Sequence, residues 1–231
     1  MDTKRYGNFT SSAIWKLLTI ATDKKKFGKP ALTYIQEKKW EIMIGRSIDT
    51  ESNTRVTLWG TFVEKLVHEK LDTSYEYFSD VRVAHPTISN WTGAADCQTE
   101  TKICDIKCPQ LKTFCDLLDI FKTGDFVNLK KDYPEYYWQL VSNSILYRKN
   151  IAELIVFVPY DNDIPLIKQM IENDDDNDKY KSIYYAPQSE LPYLPNGCAV
   201  KDLNKFEFIV PQEDKELLTS KVLEAIKLLN K

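Results

Sequence analysis

The chain has 231 residues, of which 43% are hydrophobic, and this suits one domain spanning residues 1–231 better than two domains. No apolar run is long enough to span a bilayer, and residues 1–10 lack the apolar stretch of a signal peptide, so we expect a cytoplasmic protein with no membrane contact. The formal net charge of −3 argues, over the whole chain, against a nucleic-acid partner.

The charge is unevenly distributed along the chain. Five of the 34 acidic residues lie in residues 172–178, a run without basic residues that we interpret as a solvated loop. Outside this run, basic residues outnumber acidic ones. Lysines cluster at residues 24–29 and 38–39, where a phosphate backbone can be met locally. Ordinary solubilising surface is an equally good interpretation of these lysines.

The first predicted helix occupies residues 13–20, whose apolar positions recur at helical spacing. Thr10, Ser11 and Ser12 precede it, and one of these hydroxyl residues is a natural N-cap. A helix N-terminus also binds anions through its free N–H groups, and Arg5 is close enough in sequence to help hold a phosphate there. Capping alone and phosphate binding are both open interpretations.

Two further helices are predicted before the first strand, at about residues 31–48 and 59–71. The second contains Glu64. A helical glutamate is usually solvated, but one near the start of a helix that packs behind a sheet can face a metal site. Residues 76–84 then alternate like a strand.

A β-hairpin is predicted next, because two runs of strand-like alternation, residues 91–98 and 101–108, are joined by a short polar segment at 99–100. Side chains alternate between the faces of a strand, so Asp105 and Lys107 project together.

Two carboxylates and one lysine are predicted to meet on this surface, because Asp96 can approach Asp105 across the hairpin. Like charges repel and raise one another's pKa, and a divalent cation offsets the repulsion. Hard oxygen ligands select Mg²⁺ or Mn²⁺, and two carboxylates leave coordination positions for water and a phosphate oxygen.

The spacing of Asp96 and the Asp105-Ile106-Lys107 triplet resembles the catalytic signature of the PD-(D/E)XK nuclease superfamily, with Ala95 in place of the usual proline. An exposed strand with solvated charges is the alternative interpretation of the triplet alone.

The opposite face of the second run carries Cys104, Ile106 and Cys108, and we expect it to be buried. The five cysteines lack CxxC spacing, and four of them lie in or just after the hairpin. A zinc or iron–sulfur site is an alternative, but small apolar core residues fit a buried strand face better.

Two helices are predicted after the hairpin, at residues 111–121 and 135–147, with Asp132 as the N-cap of the second. One side of the second helix carries a stripe that is polar and aromatic rather than apolar. The stripe consists of Tyr136, Gln139, Asn143 and Tyr147. It can be an amphipathic boundary, or it can line a groove for a DNA strand with Gln139 near the catalytic lysine.

The remainder contains a buried strand at 151–159, a less regular stretch to residue 197, a strand at 206–210 and a closing helix at 213–230. The order of elements predicts an α/β fold, with a central mixed β-sheet flanked by helices.

The succession of motifs resembles the phage lambda exonuclease family, also called the YqaJ-like viral recombinase family, over nearly the whole chain. The motifs are Arg5-x₆-Ser12, WGxxxE at 59–64, GAAD at 93–96, DIKCP at 105–109 and YxxQ at 136–139. The resemblance implies the PD-(D/E)XK nuclease fold.

The resemblance also implies a metal site. Asp96 and Asp105 would bind Mg²⁺ directly, with the Ile106 carbonyl as a further ligand and Mn²⁺ as a possible substitute. Glu64 would support the metal, directly or through water. Lys107 would orient or activate the attacking water.

Further roles follow from the same resemblance. Gln139 would position Lys107 or the nucleophile, and Arg5 and Ser12 would hold the 5′-phosphate of the DNA. One departure concerns residues 94–96, which read Ala-Ala-Asp where the family has Ser-Pro-Asp, so a hydroxyl near the phosphate is missing.

The implied function is a metal-dependent 5′→3′ exonuclease that degrades one strand of linear double-stranded DNA in phage-type recombination. Its implied partners are DNA ends, a single-strand annealing protein and two further copies of itself in a homotrimer, in the host cytoplasm if the chain is phage-encoded. A PD-(D/E)XK endonuclease of restriction or repair type is one alternative. A non-catalytic nucleic-acid-binding descendant is another, although the complete set of site residues speaks against it.

Overall fold

The computed structural model describes residues 6–21, 26–48, 54–78 and 81–230. The α-helices are α1 (Lys29–Ile44), α2 (Arg55–Lys70), α3 (Leu111–Thr123), α4 (Phe126–Asp132), α5 (Pro134–Leu146), α6 (Ile164–Glu172), α7 (Asn177–Tyr184) and α8 (Gln212–Leu229). The strands are β1 (Phe9–Thr10), β2 (Glu76–Tyr77), β3 (Val83–Ala84), β4 (Trp91–Gly93), β5 (Cys97–Gln98), β6 (Lys102–Lys107), β7 (Ile151–Phe157) and β8 (Leu203–Ile209). Short 3₁₀ helices cover Ser11–Leu18, Asp161–Asp163 and Gln188–Glu190.

The central sheet has five strands in the order β2-β5-β6-β7-β8. Strands β6 and β7 are parallel, and the other neighbouring pairs are antiparallel. A parallel pair cannot be joined by a tight turn, and here α3, α4 and α5 form the crossover between β6 and β7. This confirms the predicted α/β class with a central mixed sheet flanked by helices.

Two apolar cores lie on opposite faces of the sheet. Ile103 of β6 packs in the core that contains residues of α3, α5 and α8. Cys104 and Ile106 pack in the other core, which contains residues of α2, α6 and α7. The strand's alternation therefore sends even-numbered residues towards α2 and odd-numbered ones towards α5. Cys104, buried in the second core, is a small core residue, as expected from the sequence.

The predicted hairpin is only partly correct. Residues 97–98 pair with β6, as Cys97 lies opposite Cys104 and Gln98 opposite Ile103. Residues 91–93, in contrast, form β4 of a separate three-stranded sheet, β1-β4-β3. The first run is therefore two strands divided at residues 94–96. The predicted strand at 76–84 is also divided, into β2 of the central sheet and β3 of the small one.

The division follows from the close packing around Gly93. A Cβ at this position would lie 2.1 Å from the Ser11 Oγ and 2.7 Å from the Asn143 Oδ1. Both neighbouring side chains are buried, at 1% and 0% exposed, and the Ser11 Oγ lies 2.8 Å from the Ser142 Oγ. At the end of β4, Gly93 packs between the first 3₁₀ helix and α5. This packing between distant segments is not visible in the local sequence pattern.

Other differences concern helices. The sequence pattern missed α4, α6 and α7, of which the last two lie in the stretch expected to be irregular. Asp132 ends α4, and the N-cap of α5 is Tyr133, so the predicted cap was wrong. The acidic run at 172–178 joins α6 to α7 and enters both of them. Among the described residues, no helix has the length and apolar character needed to cross a bilayer.

The packing at Gly93 predicts that Gly93→Ala destabilises the fold. The new methyl group overlaps Ser11, Asn143 and Leu146, whose positions are fixed by burial, so we expect the free energy of unfolding to fall by about 1–3 kcal/mol. Urea denaturation followed by circular dichroism measures the change.

Gly60→Ala is the matched control. Gly60 lies within α2, and the nearest atom to its added Cβ is the Cys108 backbone oxygen at 3.7 Å, an ordinary contact. Because alanine favours a helix over glycine, this variant should be as stable as the parent or more so. Equal destabilisation of both variants would contradict the close-packing explanation.

Candidate active site

Asp105 occupies the middle of the site, in the central strand β6. Its side chain is 0% exposed, although it carries a carboxylate. The Gln139 Nε2 of α5 donates to its Oδ1 at 2.6 Å, and the Lys107 Nζ lies 2.6 Å from its Oδ2. Lys107 thus compensates the buried charge, while no described residue donates a well-formed hydrogen bond to Oδ2.

Asp96 lies beside Asp105 because the pairing of β5 with β6 ends just before these two residues. The β5–β6 ladder starts only at Cys97, so the Ile106 N–H has no backbone partner in β5. The Asp96 Oδ2 accepts from this N–H at 2.6 Å. A carboxylate therefore takes the position of the missing strand partner, which brings the two acidic side chains together as the sequence predicted.

The pKa values of both carboxyl groups are raised above their ordinary range. Burial raises the pKa of Asp105 to about 7, with the Lys107 ammonium opposing this and the nearby Asp96 adding to it. Burial also raises the pKa of Asp96 to about 6, again opposed by Lys107, while Glu64 adds to the rise. Burial alone would lower the pKa of Lys107, but the two carboxylates outweigh it and raise this pKa, so the lysine remains a cation.

A divalent cation suits this set of donors. The buried Asp105 and the half-buried Asp96 offer hard oxygen ligands, and the Asp105 Oδ2 accepts no well-formed hydrogen bond among the described residues, although the Lys107 ammonium lies 2.6 Å from it. The described residues contain no group of three or more His, Cys, Asp or Glu side chains arranged around one ion position. The two carboxylates fit a divalent cation whose remaining positions are filled by other oxygen ligands.

Glu64 approaches the pair from the other side of the sheet. Its helix, α2, is held there by an apolar face of buried residues, which comprises Leu58, Trp59, Phe62, Val63, Leu66 and Val67. Glu64 is half-buried and close enough to raise the pKa of Asp96. Burial, together with the same glutamate, raises the pKa of the Cys108 thiol well above its usual range. The predicted position of Glu64 facing the site is consistent with these effects.

The polar stripe of α5 faces the site and the segment that leads into it. Gln139 holds Asp105, and the Lys107 Nζ lies over the Tyr136 ring, 5.6 Å from its centroid. Further along, the Asn143 Nδ2 donates to the Ala94 carbonyl at 3.3 Å, and the Tyr147 Oη accepts from the Ala95 N–H at 3.2 Å. One helix face thus fixes both the residues before Asp96 and the strand residues opposite.

The structure describes one of the two residues expected at the phosphate site. Ser12 is exposed in the first turn of the 3₁₀ helix, with its Oγ 3.4 Å from the Thr10 Oγ1. Arg5 lies outside the described residues. The N-cap is Thr10, which makes no capping hydrogen bond with its side chain. Ser11 points inward to Ser142, so the three neighbouring hydroxyl residues have different environments.

Two aromatic contacts bear on the sequence predictions, and one of them has been described above. The first is the packing of the His68 ring against the Tyr77 ring, at 3.8 Å between centroids. The second is the contact of Tyr136 with Lys107, which the sequence did not predict. Its signal was present in the spacing of three residues between Tyr136 and Gln139, which places both on one helix face.

The sequence matches no protein-family model, and no curated protein sequence is significantly similar to it. Solved structures do match. An alkaline exonuclease, LHK-Exo, from Laribacter hongkongensis has a TM-score of 0.63 and 16% identity, with 98% of this chain and 89% of that chain covered. The structure of LHK-Exo in complex with dAMP has a TM-score of 0.64 with the same identity and coverage.

A second protein gives a similar result. The phage-related exonuclease from Haemophilus somnus 129PT has a TM-score of 0.60 and 15% identity, with 96% of this chain and 93% of that chain covered. The likeness extends over almost the whole of each chain. The chain therefore has the same fold as these two exonucleases.

Proposed function

We propose that this protein is a metal-dependent 5′→3′ exonuclease that degrades one strand of linear double-stranded DNA in phage-type recombination. One observation carries the proposal. Asp96, which directly precedes β5, lies near Asp105 and Lys107 of β6. Gln139 donates a hydrogen bond to Asp105. These are the residues that the sequence resemblance assigns to catalysis. The fold that contains them is shared with two proteins described as exonucleases.

Mg²⁺, or Mn²⁺ as a substitute, would be held by Asp96, Asp105 and the Ile106 carbonyl, with Glu64 supporting the site directly or through water. Such a cation lowers the pKa of a bound water and offsets negative charge on the phosphoryl oxygens. Phosphodiester hydrolysis needs both effects at neutral pH.

The chain's own residues have separate tasks in this scheme. Gln139 occupies the Asp105 Oδ1, so it fixes the carboxylate plane and leaves Oδ2 directed towards Lys107. The raised pKa of Lys107, caused by the two carboxylates against the effect of burial, keeps it an ammonium ion. Lys107 would orient or activate the attacking water, and its compact positive charge would stabilise developing negative charge.

Recognition of the DNA end is assigned to Arg5 and Ser12. Ser12 is exposed at the start of the 3₁₀ helix, where backbone N–H groups can meet a phosphate. The absent hydroxyl at Ala94 leaves this pocket with one fewer donor than in the resembled family. The homotrimer and the single-strand annealing partner are proposed from the resemblance alone.

Digestion of labelled DNA tests the function. Linear duplex labelled at its 5′ or 3′ end is incubated with the protein, with and without Mg²⁺, beside covalently closed circular DNA. We expect release of the 5′ label as a small product, only with Mg²⁺, and an intact circle. Cleavage of the circle would instead indicate the endonuclease alternative.

Asp105→Asn should abolish most of this activity. The substitution preserves volume but removes one of the two buried carboxylates, so the cleavage rate should fall by orders of magnitude while DNA affinity changes much less. Rates from single-turnover digestion and affinities from fluorescence anisotropy separate the two effects. If the variant digests duplex DNA at nearly the parental rate, the assignment of Asp105 as a metal ligand is wrong.

Metal binding can also be followed without DNA. A ligand that binds only the folded state at 100 times its Kd stabilises by about 2.7 kcal/mol, so Mn²⁺ should raise the melting temperature of the parent protein. We expect the rise to be lost in Asp105→Asn. An equal rise in both proteins would place the ion elsewhere.

Lys107→Ala should separate metal binding from catalysis, because both carboxylates remain. We expect calorimetry to show that Mn²⁺ still binds, while most of the nuclease activity is lost. Loss of Mn²⁺ binding with an unchanged cleavage rate would reverse the roles given to Lys107 and the carboxylates.

A further inference from the structure

Two groups contact the Lys107 ammonium group directly. One is the Asp105 Oδ2, at 2.6 Å, and the other is the Tyr136 ring, whose centroid lies 5.6 Å from the Nζ. The lysine side chain is 23% exposed, and it lies at the end of β6 where solvent can reach it. A flexible four-carbon side chain at such a position needs contacts on more than one side to hold its charge in one place.

One helix face contacts both members of this ion pair. Tyr136 and Gln139 are three residues apart on α5 and therefore lie side by side. Gln139 holds Asp105, and Tyr136 holds Lys107, so the helix grips each member of the ion pair separately. The sequence resemblance gives Gln139 the task of positioning Lys107 or the nucleophile, and in the structure its hydrogen bond is to Asp105.

The Tyr136 ring is itself supported from behind. The Tyr133 ring stacks on it, with centroids 5.6 Å apart and planes 6° from parallel. The Tyr133 Oη donates to the Asp116 Oδ2 of α3 at 3.2 Å, which ties the outer ring to a second helix. The two rings and the ammonium group thus form a short column with a fixed base.

We infer that Tyr136 is a positioning residue for Lys107, holding its ammonium group through a cation–π contact while Asp105 serves the metal. The inference rests on the proposed function, in which a divalent cation draws on the same carboxylate that the lysine contacts. An aromatic face is uncharged and is not a ligand for Mg²⁺, so its attraction for the ammonium group persists when the carboxylate is engaged.

The test compares Tyr136→Phe with Tyr136→Leu. Phenylalanine keeps the ring face, so it should retain most of the parental kcat. Leucine removes the face, and kcat should fall about tenfold, between the effects of an exposed and a desolvated cation–π contact, with little change in KM. Tyr185→Leu, which alters a tyrosine that is 75% exposed at the end of α7, is the control for a general effect of losing an aromatic ring.

Two measurements identify the route of the effect. In a Lys107→Ala background, Tyr136→Leu should cause no further loss of the residual rate, because the group on which it acts is gone. In the metal-free protein, the Lys107 Cε protons should show an upfield ring-current shift by NMR, kept in Tyr136→Phe and lost in Tyr136→Leu. The second readout needs neither DNA nor metal.

Several results would overturn the inference. They are an equal tenfold loss in the Lys107→Ala background, an equal loss with phenylalanine, or an unchanged kcat with leucine. If the leucine variant does not fold, as judged by thermal unfolding, Tyr136→Gln replaces it with a polar residue that also favours a helix. A parent protein that does not degrade DNA would count against the proposed function, whereas an active parent with an indifferent Tyr136 would count against this inference alone.

Discussion

The burial of the Asp105 carboxylate in the central strand is the constraint on which the site depends. A carboxylate that is removed from water needs compensating partners, and its neighbours can be understood in these terms. Lys107 supplies a positive charge to one oxygen, and Gln139 supplies a hydrogen bond to the other. Asp96 adds a second negative charge where the strand pairing ends. The site thus has an excess of negative charge, held in place by the sheet and by α5.

Helix α5 connects the parts of the site that are distant in sequence. Its polar side holds the central strand through Gln139, the lysine through Tyr136, and the segment before Asp96 through Asn143 and Tyr147. Its other side is packed in the main core, where Tyr137, Leu140 and Val141 are buried. The apolar packing fixes the position of the helix, and the polar side uses that position to align groups from three segments.

The sequence predicts the parts of the site that depend on local alternation. Asp105 and Lys107 project together because they are two apart on a strand, and Cys104 and Ile106 are buried on the opposite face for the same reason. The stripe on α5 was likewise visible as a helical period. These patterns are properties of a single element, so they can be recognised without knowledge of its neighbours.

The features that the sequence did not predict depend on contacts between distant segments. Residues 91–98 alternate continuously, yet they form two strands in different sheets, and the packing of Ser11 and Asn143 against Gly93 lies at the end of the first strand. The end of α4 and the start of α5 meet at Tyr133, so a single favourable cap pattern was assigned to the wrong residue. The side-chain partner of Gln139 could not be read from spacing, since Asp105 and Lys107 are both within reach of the helix.

The crossover between β6 and β7 has a consequence for the entropy of folding. Asp96, Asp105 and Lys107 lie within 12 residues of chain and can approach one another through the β5–β6 hairpin alone. Gln139 and Tyr136 join them only when α5 docks, and α5 belongs to the long connection that closes as β7 pairs with β6. Closing such a loop costs conformational entropy before its contacts form. The contacts within the β5–β6 hairpin therefore cost less loop-closure entropy than the contacts that Gln139 and Tyr136 add from α5.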